Sequence, residues 1–390
     1  MKILLISINT CTQPFPIYPL GMSVVANILT KNGDSVHQFD FLANNQSYAK
    51  VKKSILDFNP QLIGISLRNH NEKSIETANK IIKIARKLNK QTFIGGSGCS
   101  VYSSSPALKK INADFYIIGP AESNIIKFIN DLEKGIYPKN QIIEADKYTE
   151  IYGPLYDKDI LKFYSSFNEA IGLNTKRGCS NNCFYCNYKY IDGNAVKYRK
   201  IKDIINDLLF LKENKVNSIF FADSILNDDK KFLKELLTEM EKANININWS
   251  GYLRPDTIDK TLLKLMKRTG ISTVSIGIDG TTDETLKGYN KNFKWKDVLK
   301  IDKMLFEQKF ENTRADFLFG GPKETKETVL KGIENIKKLH FKTVNINVFC
   351  LCIKDNKIIK QEDICDLDNK WITDKLVHAF GKLGDVKLNN

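Results

Sequence analysis

Lys176-Arg177-Gly178-Cys179-Ser180-Asn181-Asn182-Cys183-Phe184-Tyr185-Cys186 carries three cysteines at C-x3-C-x2-C spacing, with an aromatic residue directly before the third. Three thiolates can ligate three irons of a cubane and leave the fourth open to a substrate or cofactor, whereas a cluster used only for electron transfer normally has four protein ligands. A structural zinc site is the competing reading. It needs a fourth cysteine or histidine at short spacing, and the nearest downstream candidates, His340 and Cys350, lie far along the chain.

Outside this stretch the composition sets bounds. With 390 residues, 42% apolar and only 10 prolines, the chain is globular and long enough for two domains, each with its own core. Apolar runs such as residues 3–8 fall far short of the roughly 20 residues that span a bilayer, and Met1-Lys2 leads into a strand-like run instead of a signal peptide. Eight cysteines are too few for a disulfide scaffold and fit a reducing compartment, so the expectation is a cytoplasmic protein without a membrane span. Cys350, Cys352 and Cys365 read as ordinary thiols and not as a second metal site. The formal charge of +14 raises nucleic acid as a partner. Its lysines, however, are interspersed with acids through every amphipathic segment, with no arginine-rich tract and no tail of one sign, so the charge reads as solvated helix faces.

N-terminal to the cysteines, strand-like runs at 3–8, 35–41, 62–67, 92–94 and 115–118 alternate with helical segments at 20–31, 47–58, 72–88, 105–111 and 121–134. This alternation predicts a doubly wound parallel sheet over residues 1–135, with ligands beyond the carboxyl ends of its strands. The loops at those ends are Asn9-Thr10-Cys11 through Pro19-Leu20-Gly21, Ser66-Leu67-Arg68-Asn69-His70, Gly95-Gly96-Ser97-Gly98-Cys99-Ser100 and Gly119-Pro120-Ala121-Glu122. Their glycines permit close backbone approach. A dinucleotide site would want G-x-G-x-x-G after the first strand, and that loop lacks the glycines. Residues 136–167 show no periodicity and read as a linker.

From 168 to 350 six strand-like runs, at 170–174, 218–222, 246–251, 273–278, 314–319 and 343–349, alternate with helical segments. Six units predict a partial (β/α)6 barrel, open on one side, with chemistry at the carboxyl ends of its strands. Those ends read Asp223-Ser224-Ile225-Leu226-Asn227-Asp228, Tyr252-Leu253-Arg254, Gly277-Ile278-Asp279 followed by Asn290-Lys291, and Gly320-Gly321-Pro322-Lys323-Glu324-Thr325. Asn227 and Asp228 also suit a helix cap. Residues 351–390 form an extension, helix-like at 371–383, that matches no pattern and is expected to cover the barrel mouth.

The cysteine motif with Tyr185, together with these strand ends, resembles the radical S-adenosylmethionine (SAM) superfamily. The loops of residues 1–122 are similar to the cobalamin-binding domain that precedes the barrel in one subgroup. The resemblance implies a [4Fe-4S] cluster on Cys179, Cys183 and Cys186. It implies SAM contacts from Tyr185, Asp223, Ser224, Asn227, Arg254, Gly277, Asp279, Asn290, Gly320, Gly321 and Pro322, with Asp279 standing where the family usually has Glu. It implies cobalamin contacts from Thr10, Leu20, Gly21, Ser66, Arg68, Asn69, Gly95, Gly96, Ser97, Gly98, Ser100 and Glu122. The family's D-x-H-x-x-G motif is missing, so a bound corrinoid would have Arg68, Asn69 or water at its lower face instead of histidine. The implied activity is methylation of an unactivated carbon: one SAM methylates the corrinoid, a second gives the adenosyl radical, and the substrate radical takes the methyl group. The implied partners are a small-molecule, lipid or peptide substrate and an electron donor such as flavodoxin or ferredoxin. Radical rearrangement, cyclisation or carbon–carbon bond formation, with or without cobalamin, and a non-catalytic corrinoid or iron–sulfur binding protein are the alternatives.

Overall fold

The computed structural model describes residues 1–13, 15–68, 71–101, 108–138, 141–144, 150–354 and 357–388. The chain divides into two units, 1–178 with 190–220 and 179–189 with 221–390.

In the first unit, β1 (Lys2–Ser7), β2 (Ser35–Asp40), β3 (Leu62–Ser66), β4 (Gln91–Gly95), β5 (Phe115–Ile118) and β6 (Ile142–Glu144) form one sheet in the order β2-β1-β3-β4-β5-β6. Every pairing is parallel. Strands buried on both faces need continuous apolar runs, and Ile3, Leu4, Leu5 and Ile6 are all buried. Helices Leu20–Lys31, Glu72–Lys87 and Ile125–Glu133 cover the sheet with apolar stripes. The strand order reverses between β1 and β3, so the crevice beyond their carboxyl ends is the place such a sheet offers a ligand.

Three expectations for this unit need correction. Residues 95–100 were expected as a loop, but Ser97–Val101 is helical, and the helix expected at 105–111 shows only a 3-10 turn, Leu108–Lys110, among its described residues. The stretch expected to be an aperiodic linker adds β6 to the sheet and contains the helix Lys158–Tyr164, capped by Asp157. A three-residue strand is too short to show a period, which is why the sequence did not reveal it. The unit also contains β7 (Gly172–Leu173), the short antiparallel pair β8 (Lys176–Arg177) and β9 (Lys197–Tyr198), and most of β10 (Ser218–Phe221).

In the second unit, β11 (Asn248–Leu253), β12 (Ile271–Asp279), β13 (Thr313–Phe319) and β14 (Thr343–Val348) run parallel in sequence order. Helices such as Lys260–Arg268 and Lys326–Lys337, capped by Asp259 and Thr325, alternate with them. The six strands β7 and β10 to β14 fall where the sequence placed them. The extension folds as a hairpin of β15 (Leu351–Lys354) and β16 (Lys357–Lys360), a helix Asn369–Phe380, and β17 (Gly384–Lys387), which pairs antiparallel with β14.

Two glycines in the first unit separate backbone demand from composition. Gly96 has φ +110°, and a Cβ there would come within 2.6 Å of the Leu67 carbonyl oxygen, whereas Gly21 faces open space. Gly96→Ala is expected to destabilise the protein by about 2–4 kcal/mol. Gly21→Ala, inside a helix, should be neutral or stabilising by up to about 1 kcal/mol. Urea unfolding of the two variants measures the difference.

Candidate functional site

The cysteine loop has little regular structure of its own, and its geometry comes from the strand ends around it. Phe184 N donates to Tyr289 O (3.1 Å), Asn290 Nδ2 to Asn182 O (3.2 Å), and Arg254 Nη1 and Asn292 Nδ2 both to Asn181 Oδ1 (3.4 Å each). Within the loop, Cys186 N donates to Cys183 O (3.1 Å). Two N–H groups are aimed at sulfur: Tyr188 N at Cys186 Sγ (3.4 Å) and Asn181 Nδ2 at Cys179 Sγ (3.6 Å).

N–H···S contacts of this kind stabilise thiolate and tune a cluster's potential. Burial pushes the Cys183 and Cys186 thiols up, Cys186 to about 11, an effect that bound iron reverses. Among the described residues no three His, Cys, Asp or Glu side chains converge on a single ion. Three soft donors along one loop suit a cubane, in which each binds a different iron.

The Tyr185 side chain reaches the end of β12. Its hydroxyl donates to Asp279 Oδ2 (2.8 Å) and accepts from Lys291 Nζ (3.2 Å), and Lys291 forms an ion pair with Asp279. Asp279 sits at a register shift at the end of β12 with φ 67°, a conformation costly for a non-glycine residue and typical of functional sites. Burial works against the Lys291 charge, but Asp279 and then the Cys183 thiol hold its pKa above the ordinary value. Lys291 was not among the residues expected at SAM, because nothing local marks it as the partner of Tyr185 and Asp279.

The other residues expected at SAM fall into two sorts. Gly277 faces open space. Gly320 has φ +80°, and its N–H donates to Glu324 Oε2 (3.3 Å). A Cβ on Gly321 would collide with Tyr289, and the Pro322 carbonyl lies against Gly288, so this turn is shaped by backbone packing. Asp223 is buried and Ser224 half-buried after β10.

Asn227 is a correction. It is fully buried, with Oδ1 accepting from Arg254 N (2.9 Å) and Nδ2 donating to Arg254 O and Thr257 Oγ1 (2.9 and 2.8 Å). Its amide thus supports the strand end, with both N–H groups engaged and the side chain buried away from any ligand. Arg254 itself forks onto Asp256 (2.6 and 2.7 Å).

The first unit holds a cavity of about 290 Å³ at its switch point. Leu20, Gly21, Ser66, Arg68, Gly95, Gly96, Ser97, Ser100 and Glu122 line it; Thr10 and Gly98 do not. Asn69, and His70 beside it, lie outside the described residues. Gly98 instead packs on Leu67. The sequence missed Ser7, Asn9, Tyr18, Arg177 and Ile191, which also line the cavity.

Asn9 Nδ2 is buried and meets no acceptor, an unsatisfied donor that a ligand would complete. The lining is largely apolar with a few polar groups, as cofactor sites are, and a corrinoid rimmed with amide carbonyls fits it. No described lining residue is histidine. Arg177 binds Glu122 through Nε (2.9 Å) and Nη2 (2.7 Å) and Asp192 through Nη1 (2.8 Å). Burial pushes Asp192 up, with Arg177 opposing.

Residues 173–336 match the model of the radical SAM superfamily, and residues 6–128 match that of the B12 binding domain. The chain thus carries a radical SAM domain and a B12 binding domain. Its cofactors are a [4Fe-4S] cluster, SAM and, through the B12 binding domain, cobalamin. This radical SAM enzyme is 25% identical over 343 residues to an uncharacterised methyltransferase of Pyrococcus horikoshii, covering 82% of this chain and 73% of that one. Its fold is that of the radical SAM methyltransferase TsrM from Kitasatospora setae, solved with cobalamin and a [4Fe-4S] cluster (TM-score 0.77, 18% identity, 90% of this chain and 75% of that one). The cobalamin-dependent radical enzyme OxsB is also similar (TM-score 0.72, 16% identity, 86% of this chain), although this chain spans only 52% of its length. A Rossmann-like domain followed by a partial (β/α)6 barrel is therefore the fold. No helix among the described residues is long and apolar enough to cross a membrane.

Glu324 generates a prediction about this site. Burial raises its pKa to about 7, against the hydrogen bonds from Thr328 Oγ1 (2.7 Å) and Gly320 N. The folded state therefore holds a proton that the unfolded chain releases above about pH 4.5. This contribution is complete below that pH and is lost as pH rises through 7. Relative to Glu324→Gln, the native protein should lose up to about 3 kcal/mol between pH 4.5 and 7.5, measured as the pH dependence of the urea midpoint.

Proposed function

We propose that this enzyme uses cobalamin to methylate an unactivated carbon. The observation that carries the reading is the switch-point cavity, with Asn9 Nδ2 unsatisfied in its wall, in the same chain as a loop of three thiols. The names of the Pyrococcus relative and of TsrM, both methyltransferases, support it. When bound, the cluster supplies the electron that cleaves the SAM sulfonium, and the corrinoid carries the methyl group.

We assign Cys179, Cys183 and Cys186 to the cluster, with Asn181 and the Tyr188 N–H supporting their sulfurs. Tyr185, Asp279 and Lys291 form the polar wall toward the SAM ribose, and Arg254, released from Asp256 or bridging it, reaches the carboxylate. Asp223, Ser224, Gly277 and Asn290 border the same site, and the Gly320-Gly321-Pro322 turn supplies the backbone against the adenine. In the first unit, Ser66, Arg68, Gly95, Gly96, Ser97, Ser100 and Glu122 hold the corrinoid, joined by Asn9 and Arg177. No general base is needed, because the substrate loses a hydrogen atom and not a proton.

The working boundaries are 1–135 for the cobalamin domain, 136–167 for the connection, 168–350 for the barrel and 351–390 for the extension. A flavodoxin or ferredoxin in the cytoplasm is the fitting electron donor, and the substrate is a small molecule, lipid or peptide.

Anaerobic reconstitution with iron, sulfide and hydroxocobalamin tests this reading. The expected outcome is a corrinoid that stays bound through gel filtration, and formation of 5'-deoxyadenosine and S-adenosylhomocysteine from SAM and a reductant. Cys183→Ala should abolish 5'-deoxyadenosine while leaving the corrinoid bound. If no corrinoid is retained, the methyl-transfer reading falls, while 5'-deoxyadenosine formation would still mark a radical SAM reaction.

A further inference from the structure

In a parallel barrel the inward positions are normally filled by branched apolar side chains, and the interior is a packed core. The sheet of the second unit departs from this on one face. Side chains alternate across a strand, and on one side of β12, β13 and β14 the residues Ile276, Ala315, Phe317 and Ile346 are buried. The other side carries Gly277, Arg314, Asp316, Asn345 and Asn347, of which Arg314, Asp316 and Asn345 are half-buried and Asn347 is exposed. In register, Gly277 stands beside Asp316 and Asp316 beside Asn345. A Cβ built on Gly277 would meet nothing within 4 Å, so this layer is bounded by polar groups and open where a barrel core is filled.

The charges of this layer do not balance. Arg314 donates from Nε to Asp316 Oδ1 (3.1 Å) and from Nη1 and Nη2 to Asp385 (3.4 and 3.2 Å), which β17 brings opposite Asn345. All three guanidinium nitrogens are engaged, and two carboxylates share one cation. Among the described residues no lysine forms an ion pair with either carboxylate, and Lys291 is held by Asp279. Asn345 donates from Nδ2 to Asp316 Oδ1 (2.9 Å), which leaves its own Oδ1 as a further acceptor. Burial pushes the Asp316 carboxyl up, Arg314 and Asn345 oppose it, and the Asp279 charge adds to the rise, which sets this layer close to the residues proposed for SAM. An anionic ligand would meet two like charges here and no unengaged guanidinium nitrogen. An ammonium group brings three donors and the charge that the layer lacks.

We infer that the substrate carries a primary amine, whose ammonium group is held by Asp385 and Asn345 Oδ1 under the negative field of Asp316. Asp385 is the reachable carboxylate, with a side chain 58% exposed. Asp316 is 18% exposed and its Oδ2 is shielded, so it acts through its charge. Arg314 is a positioning residue that fixes both carboxylates. This inference deepens the methylation reading by naming the substrate class, and it rests on that reading. It also gives the C-terminal strand a part in choosing the substrate, through one aspartate.

The test is ligand-observed NMR on the anaerobically reconstituted protein, with and without saturating SAM. The probes share one shape: benzylammonium, benzyl alcohol and benzoate. The native protein with SAM bound should take benzylammonium about 10-fold more tightly than benzyl alcohol, with benzoate weakest. Asp385→Asn should bring benzylammonium down to the level of the alcohol, and the double variant Asp316→Asn with Asp385→Asn, which leaves Arg314 without a counter-charge, should favour benzoate. Cluster absorption equal to that of the native protein excludes misfolding, and Asp385→Asn, at an exposed side chain, decides alone if the double variant does not fold. If no probe binds, if the native protein shows no preference for the ammonium, or if Asp385→Asn keeps that preference, the inference falls. It falls also if benzylammonium binds only when SAM is left out, because the layer then belongs to the SAM site. Loss of corrinoid retention or of S-adenosylhomocysteine, which overturns the methylation reading, is scored separately and leaves the ammonium preference standing.

Discussion

The arrangement depends on one constraint: thiols in a loop with little regular structure must be held at fixed positions by groups outside that loop. The chain meets it with contacts from the ends of β11 and β12. Arg254 and Asn292 meet on Asn181, Asn290 holds Asn182, Tyr289 accepts from the Phe184 N–H, and Asp279 with Lys291 fixes Tyr185. Several of the residues proposed to contact SAM, Arg254, Asp279, Asn290 and Lys291, therefore also set the loop. Ligand site and cluster site share one hydrogen-bond network, so a change in either is felt in the other, and contributions within such a network do not add.

The first unit solves a different problem, which is to open space at the end of a sheet whose strands are packed on both faces. A reversal of strand order leaves the space, and backbone without side chains keeps it open. Gly96 fits only because nothing projects toward Leu67 O, and a Cβ on Gly98 would come within 3.0 Å of the Leu67 side chain. Arg177, Glu122 and Asp192 then close one wall with a buried ionic cluster. Such a cluster contributes little net stability, since the cost of desolvation offsets the attraction, but it is strongly direction-dependent and tolerates few alternative arrangements.

Most of this was legible in the sequence, and the exceptions share a cause. The strand and helix alternation and the cysteine spacing are local patterns, and most of the strands appeared where expected. Lys291 and Arg177 were not legible because their partners, Tyr185 and Glu122, lie far along the chain, and Asn9 because only the fold shows that its Nδ2 is buried without an acceptor. Asn227 was read as a ligand contact because the sequence places it at a strand end. Only coordinates show that both ends of its amide are taken by Arg254 and Thr257. Strands β6 and β17 are three and four residues long, too short for a period of two to stand out, and Ser97–Val101 is helical despite a Gly- and Ser-rich composition that reads as a turn.

The pairing of β17 with β14 has a consequence for how the chain meets other chains. The outer side of β14 would otherwise present a row of unpaired peptide groups, the kind of edge that recruits strands from neighbouring molecules. β17 covers it in the antiparallel sense, register running Thr343 to Lys387 through Ile346 to Gly384, and brings Asp385 and Lys387 with it. A further parallel strand cannot add at that side of β14. The same four residues thus guard against edge-to-edge association and stop the parallel run of strands at β14, so the tail of the chain sets the limit of the sheet.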